Sequence, residues 1–147
     1  MPAYVVAQVS GAFAGVAVAH VMFEKALFSP STHVRTGLAQ LASEFVATFG
    51  LVSVIWGSSR RRSGATPFAV GAYITAAYWF TSSTSFANPA VTLARAFSNT
   101  FAGIRPNDVA GFVVAQLLGA GAATRVFRWL VPKHAATALP QTEEELS

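Results

Sequence analysis

Along the chain, long apolar runs alternate with short polar stretches, and the lengths of those runs predict the elements. Residues 4–23 (YVVAQVSGAFAGVAVAHVMF) carry no formal charge. A helix of that length, rising about 1.5 Å per residue, reaches roughly 30 Å, the thickness of a bilayer's hydrocarbon core. Residues 38–57 (LAQLASEFVATFGLVSVIWG) form a second span with one ionisable residue inside it, Glu44. Residues 109–130 form a third, ending in Arg125, Arg128 and Trp129, side chains suited to an interface. Between them, residues 67–80 (PFAVGAYITAAYWF) are as apolar but cover only about 21 Å as a helix, and a polar run from Thr81 to Ser85 follows. That segment is too short to cross unaided, or is interrupted. Residues 4–23 do not read as a cleavable signal, because Met1, Pro2 and Ala3 supply no basic start.

Composition narrows the class. The 147 residues are 53% hydrophobic and 11% charged, against about 25% charged in an ordinary soluble domain. A soluble domain is excluded, as is disorder for most of the chain. The absence of cysteine excludes a disulfide scaffold and a cysteine-ligated metal site. The net charge of +4 raises the question of nucleic acid, but the basic residues sit between apolar segments. Arg60, Arg61 and Arg62 follow the second span, and Arg125, Arg128 and Lys133 follow the last, whereas residues 24–37 carry a nearly balanced Glu24, Lys25 and Arg35. With Lys and Arg retained on the cytoplasmic side, both termini are expected there. The basic balance is membrane topology, and no nucleic-acid partner is expected. The polar tail, residues 133–147, is expected to be a disordered cytoplasmic segment after a membrane domain over residues 1–132.

The chain contains an internal echo. Tyr4 to Gly15 reads YVVAQVSGAFAG and Phe112 to Ala123 reads FVVAQLLGAGAA, an offset of 108 residues that matches Gln8 with Gln116. Chance likeness between two packed apolar helices is the competing explanation, and the shared glutamine weighs against it. If 108 is the period of a duplicated unit, the counterparts of Asn88 and Glu44 fall before Met1. The chain would then hold the last helix of one unit and all of the next.

The segment TSSTSFANPAVTLARAFSNTF, residues 81–101, carries the chemistry. Asn88 suits a helix N-cap and Pro89 the first helical position, so a short helix is expected over about 88–98. Such a helix cannot span a bilayer, and non-helical backbone before it is tolerated at membrane depth only where protein buries it or water lines it. A re-entrant half-helix beside a pore fits; a capped interfacial helix after a hairpin loop is the alternative. In the first case the positive end of the helix and the Asn88 amide face the lumen, where they repel cations and can donate to a solute oxygen.

NPA after a short apolar helix and a Ser/Thr-rich loop resembles the signature of the aquaporin family, the major intrinsic proteins. SEFVATFGL (Ser43–Leu51) is similar to that family's motif opening helices one and four, and YVVAQVSGA and FVVAQLLGA to its helices three and six. The resemblance covers residues 4–131. It implies an all-α membrane protein, an aquaporin-like helical bundle with a re-entrant NPA half-helix. The charge pattern favours the second-half register, in which the chain supplies helices three to six and the N-terminal elements are missing.

The resemblance implies site residues. Asn88, Pro89 and Ala90 would form the second NPA constriction. The arginine that usually follows is Val91 here, and Arg95 is not its substitute by position, so a wider, less polar constriction is expected. Ser85 matches another filter position; the helix-five position matches either Ala76 or Tyr78. Glu44 would accept hydrogen bonds from loop backbone, with Thr48 on its face and Gln8 and Gln116 supporting. His20 and His33 read as interface and loop residues, and Gly11 and Gly15 as a packing pair. No Ser, His and acid spacing recommends catalysis. The expected function is passive passage of water, glycerol-like polyols or uncharged metalloid acids such as arsenite. No cofactor or metal is expected. Membrane lipid is the expected surrounding, in the plasma (inner) membrane, with a homotetramer if the fold is complete. The other reading is a non-conducting membrane fragment or half-channel partner.

Overall fold

A computed structural model describes residues 2–61 and 63–130 of the chain. The tail expected over 133–147 lies outside the described residues. Five helices follow one another: α1 (Pro2–Met22), α2 (Leu38–Arg61), α3 (Thr66–Phe80), α4 (Pro89–Arg95) and α5 (Val109–Leu130). Short 3-10 turns, Ser63–Ala65 and Pro106–Asp108, lead into α3 and α5. No strand occurs among the described residues, and the all-helical architecture expected from the run lengths is the one observed.

Three segments are long and apolar enough to cross a membrane: Pro2–Met22, Leu38–Arg60 and Pro106–Leu130. Helix α3, with 15 residues, is not among them, in keeping with its reach of about 22 Å. Many large side chains point outward, including Phe68 and Trp79. That is what helices apolar on all sides do when their solvent is lipid.

The most extensive helix pair is α2 with α5. Gly119 permits it: a Cβ there would come within 2.5 Å of the Phe45 carbonyl oxygen, so the two backbones meet where α5 has no side chain. Helix α3 leans on α2, where the Tyr73 hydroxyl donates to the Ala47 carbonyl at 2.9 Å. Trp56 of α2 stacks on Phe127 of α5 at 6.4 Å, at the end of the bundle that carries Arg60. The opposite end is closed by two loops. Residues 23–37 pack against 96–105 through Ser31 N–H to the Ala96 carbonyl (2.9 Å) and Arg105 N–H to the His33 carbonyl (2.7 Å). The buried cluster beneath them is Phe86, Ala96, Ile104 and Phe112, with Leu41 and Val109 against it.

Helix α4 begins where the sequence places it but ends three residues early, at Arg95 rather than 98. The cause is long-range. The Ala96 carbonyl is taken by Ser31 and the Ser98 hydroxyl by His20, which draw the chain out of the helix and across to the other loop.

Candidate functional site

Glu44 organises the segment between α3 and α4. It lies six residues into α2, about 9 Å from that helix's first residue, and is fully buried. Its carboxylate accepts from the Phe86 N–H at 3.2 Å, from the Ala87 N–H, and from Gln116 Nε2 at 2.8 Å. A charge taken out of water is costly, and N–H donors converging on both oxygens offset that cost. They also satisfy backbone donors that no helix supplies with acceptors. Residues 81–88 can therefore stay non-helical inside the bundle.

The path of that segment is tight. Thr84, Ser85 and Ala87 all have positive φ, at 59°, 46° and 47°. Left-handed backbone at non-glycine residues costs on the order of 1–3 kcal/mol each and persists only when the surroundings hold it. The hold is visible: Ser83 N–H donates to Ser43 Oγ at 3.2 Å, Ser85 N–H to Ser83 Oγ at 3.3 Å, and Arg35 Nη1 to the Ser83 carbonyl at 2.9 Å.

Asn88 then starts α4. Its backbone is extended, and its Oδ1 accepts from the N–H groups of Ala90 (2.8 Å) and Val91 (3.4 Å), with Pro89 at the first helical position. Its Nδ2 donates to Gln8 Oε1 at 3.3 Å. Thr92 donates to the Asn88 carbonyl at 2.9 Å and accepts from Gln116 Nε2 at 2.8 Å. Gln116 thus ties α4 to Glu44 from α5, while Gln8 touches the capping residue from α1. Thr48 is buried, and its hydroxyl donates to the Glu44 carbonyl at 2.9 Å.

The remaining sequence candidates are placed as follows. Ser85 is buried, and its hydroxyl oxygen has no partner among the described residues. Ala76 is exposed on α3, whereas Tyr78 is half-buried. Val91 lines a groove of about 440 Å³ between α1 and α4, shared with Gly15, Ala19, His20, Ala94 and Arg95. His20, in the last turn of α1, is 3% exposed, with Nε2 at 2.8 Å from Ser98 Oγ. His33 is an exposed loop residue. Among the described residues no group of three His, Cys, Asp or Glu side chains could hold a metal ion.

Two arginines were not legible as parts of the site. Arg35, read as a loop charge, is 4% exposed. Its guanidinium donates to three carbonyls, those of Gly103 (2.7 Å), Ser83 (2.9 Å) and Phe101 (2.9 Å), and its carbon lies 4.9 Å from the Phe86 ring centroid. Burial pulls its pKa below the usual arginine value, while the charge of Glu44, and then Tyr78, pull it back up. Arg95 sits over the same Phe86 ring at 4.4 Å, and its Nη1 is buried without a hydrogen-bond partner among the described residues.

The family model described as major intrinsic protein matches residues 1–85, more than half of the chain. The chain belongs to the major intrinsic protein family. Members are channels of the membrane, not enzymes, and the apolar helices here are those of an integral membrane protein. Aquaglyceroporin AqpS of Rhizobium meliloti (strain 1021) is 60% identical over 129 residues, which are 88% of this chain and 55% of that protein. The chain therefore spans about half the length of the curated relative it matches. No solved structure matches it.

Proposed function

We propose that this chain forms part of the wall and constriction of a channel for small neutral solutes, with glycerol-like polyols as the first class to test. One observation carries the reading: a buried carboxylate holds strained, non-helical backbone inside a lipid-facing bundle and aims it into a capped half-helix at Asn88. Polar backbone at that depth is otherwise found only where it is covered or where it faces an aqueous passage. Family membership and the aquaglyceroporin relative support the same class of solute. In this proposal Asn88, Pro89, Ala90 and Val91 line the passage, Ser85 and Tyr78 stand at its filter, and Glu44, Thr48, Gln8 and Gln116 position them. Water and uncharged metalloid acids belong to the proposed range because no charged group stands at position 91. We further propose helices three to six as the register, the plasma membrane as the location, and cytoplasmic termini, supported by the arginines at one end of the bundle.

The test is reswelling of liposomes containing the chain after an osmotic step in glycerol, followed by light scattering. Reswelling clearly faster than in empty liposomes is expected. Equal rates would overturn the proposal.

A second reading is favoured by one feature of α1. A Cβ on Gly11 would meet nothing within 4 Å, although the matching Gly119 of α5 lies hard against α2. In this reading α1 is covered by further polypeptide, and the chain is one part of a pore assembled from more than one segment. The mass of the assembly in detergent separates the readings: conducting particles holding one copy alone count against the second.

A further inference from the structure

The Phe86 ring has two cations on it. Arg35 reaches it from the loop between α1 and α2, and Arg95 from the last turn of α4. Neither is ion-paired among the described residues. The side chain of Asp108, next to Arg35, accepts that residue's backbone N–H on one oxygen and gives the other to Arg105 at 2.9 Å. Glu44, the carboxylate at the site, has its oxygens engaged by Phe86, Ala87 and Gln116. Two guanidinium groups thus stand against one carboxylate. Arginine does not lose its proton in a protein, so the imbalance is permanent. It is also weakly screened, because the groups sit in protein rather than in water.

The two arginines are fixed in different ways. Arg35 spends its donors on three carbonyls of the surrounding loops, which makes it a strap. Arg95 makes no side-chain hydrogen bond among the described residues and is held by its stack on Phe86. It lies four residues after Val91, on the same face of α4, and both line the groove beside α1. Val91 brings no charge of its own.

We infer that Arg95, with Arg35 behind it, is the fixed positive charge that sets the charge selectivity of the passage, turning back alkali cations and hydronium ions while neutral solutes move past Val91. This rests on the channel reading above. A fixed cation beside a narrow path raises the barrier to a cation and leaves an uncharged solute nearly unaffected.

The experiment measures potassium and proton flux in liposomes holding the full chain, each divided by glycerol flux in the same preparation. Arg95→Gln removes the charge and keeps much of the bulk, and both ratios are expected to rise about tenfold. Arg95→Met also removes the charge and keeps an apolar stem over Phe86. The same rise is expected, and it decides the matter if Arg95→Gln does not assemble. Arg95→Lys keeps the charge, and its ratios are expected to stay within about twofold of the unaltered chain. Glycerol flux with unchanged ratios in either Arg95→Gln or Arg95→Met overturns the role of Arg95 alone. Absence of glycerol flux in the unaltered chain overturns the channel reading, and this inference with it.

Discussion

Helices α1 and α5 share the word VVAQ with a glycine three residues after the glutamine, yet they live in different surroundings. In α5 that word is the seam of the bundle: Gly119 touches the α2 backbone, and Gln116 is buried on Glu44 and Thr92. In α1 the matching Gly11 faces open space, and Gln8 is exposed, reaching only Asn88 among the described residues, at 3.3 Å. Over an apolar window of 18 residues in each span, 28% is buried in the one that holds α5 but 6% in α1. The comparison separates two things a sequence encodes. Helix formation in an apolar run is local, whereas burial depends on whether a matching helix is present to receive the face.

Filling the two glycines should give the largest difference between the helices. Gly119→Leu drives a side chain into the Phe45 carbonyl and is expected to cost about 3 kcal/mol, seen as a lower midpoint of thermal aggregation in detergent. Gly11→Leu has room and should shift that midpoint little, by about 0.5 kcal/mol or less. Equal losses would mean that α1 is packed as tightly as α5.

A smaller contrast concerns the glutamines. Gln116→Leu leaves Glu44 without one of its donors and Thr92 without the donor to its hydroxyl oxygen, a cost of about 2 kcal/mol by the same measurement. Gln8→Leu removes one long, exposed contact and should cost less than about 0.5 kcal/mol. If a further segment brings Gln8 a carboxylate of its own, the two costs should converge in the assembled particle, so the pair of variants tests for that segment.

Much of this architecture was legible beforehand because the signals are local. Run lengths set the three long helices, and Asn88–Pro89 announced the start of α4, since a cap and a proline act on their own next few residues. The end of α4 was not legible: Ala96 and Phe97 continue a helical pattern, and only Ser31, far away in sequence, withdraws the Ala96 carbonyl. Arg35 was hidden for the same reason. Its carbonyl partners lie 48 to 68 residues further along, and an arginine in a loop between spans reads as solvated. Glu44 stood out because a carboxylate in an apolar run must find donors; Thr92, which joins Gln116 to Asn88, did not, because a threonine in a short helix carries no such obligation.

The claim that Asn88 to Val91 line a passage is tested most directly by Val91→Arg, with glycerol and water permeability measured on the same liposomes. An arginine there adds bulk and donors at the proposed constriction. Glycerol permeability should fall about tenfold while water, small enough to pass a narrowed and donor-lined opening, falls about twofold or less. Equal loss of both, or no loss of either, would contradict the placement of residues 81–91 on the path of the solute.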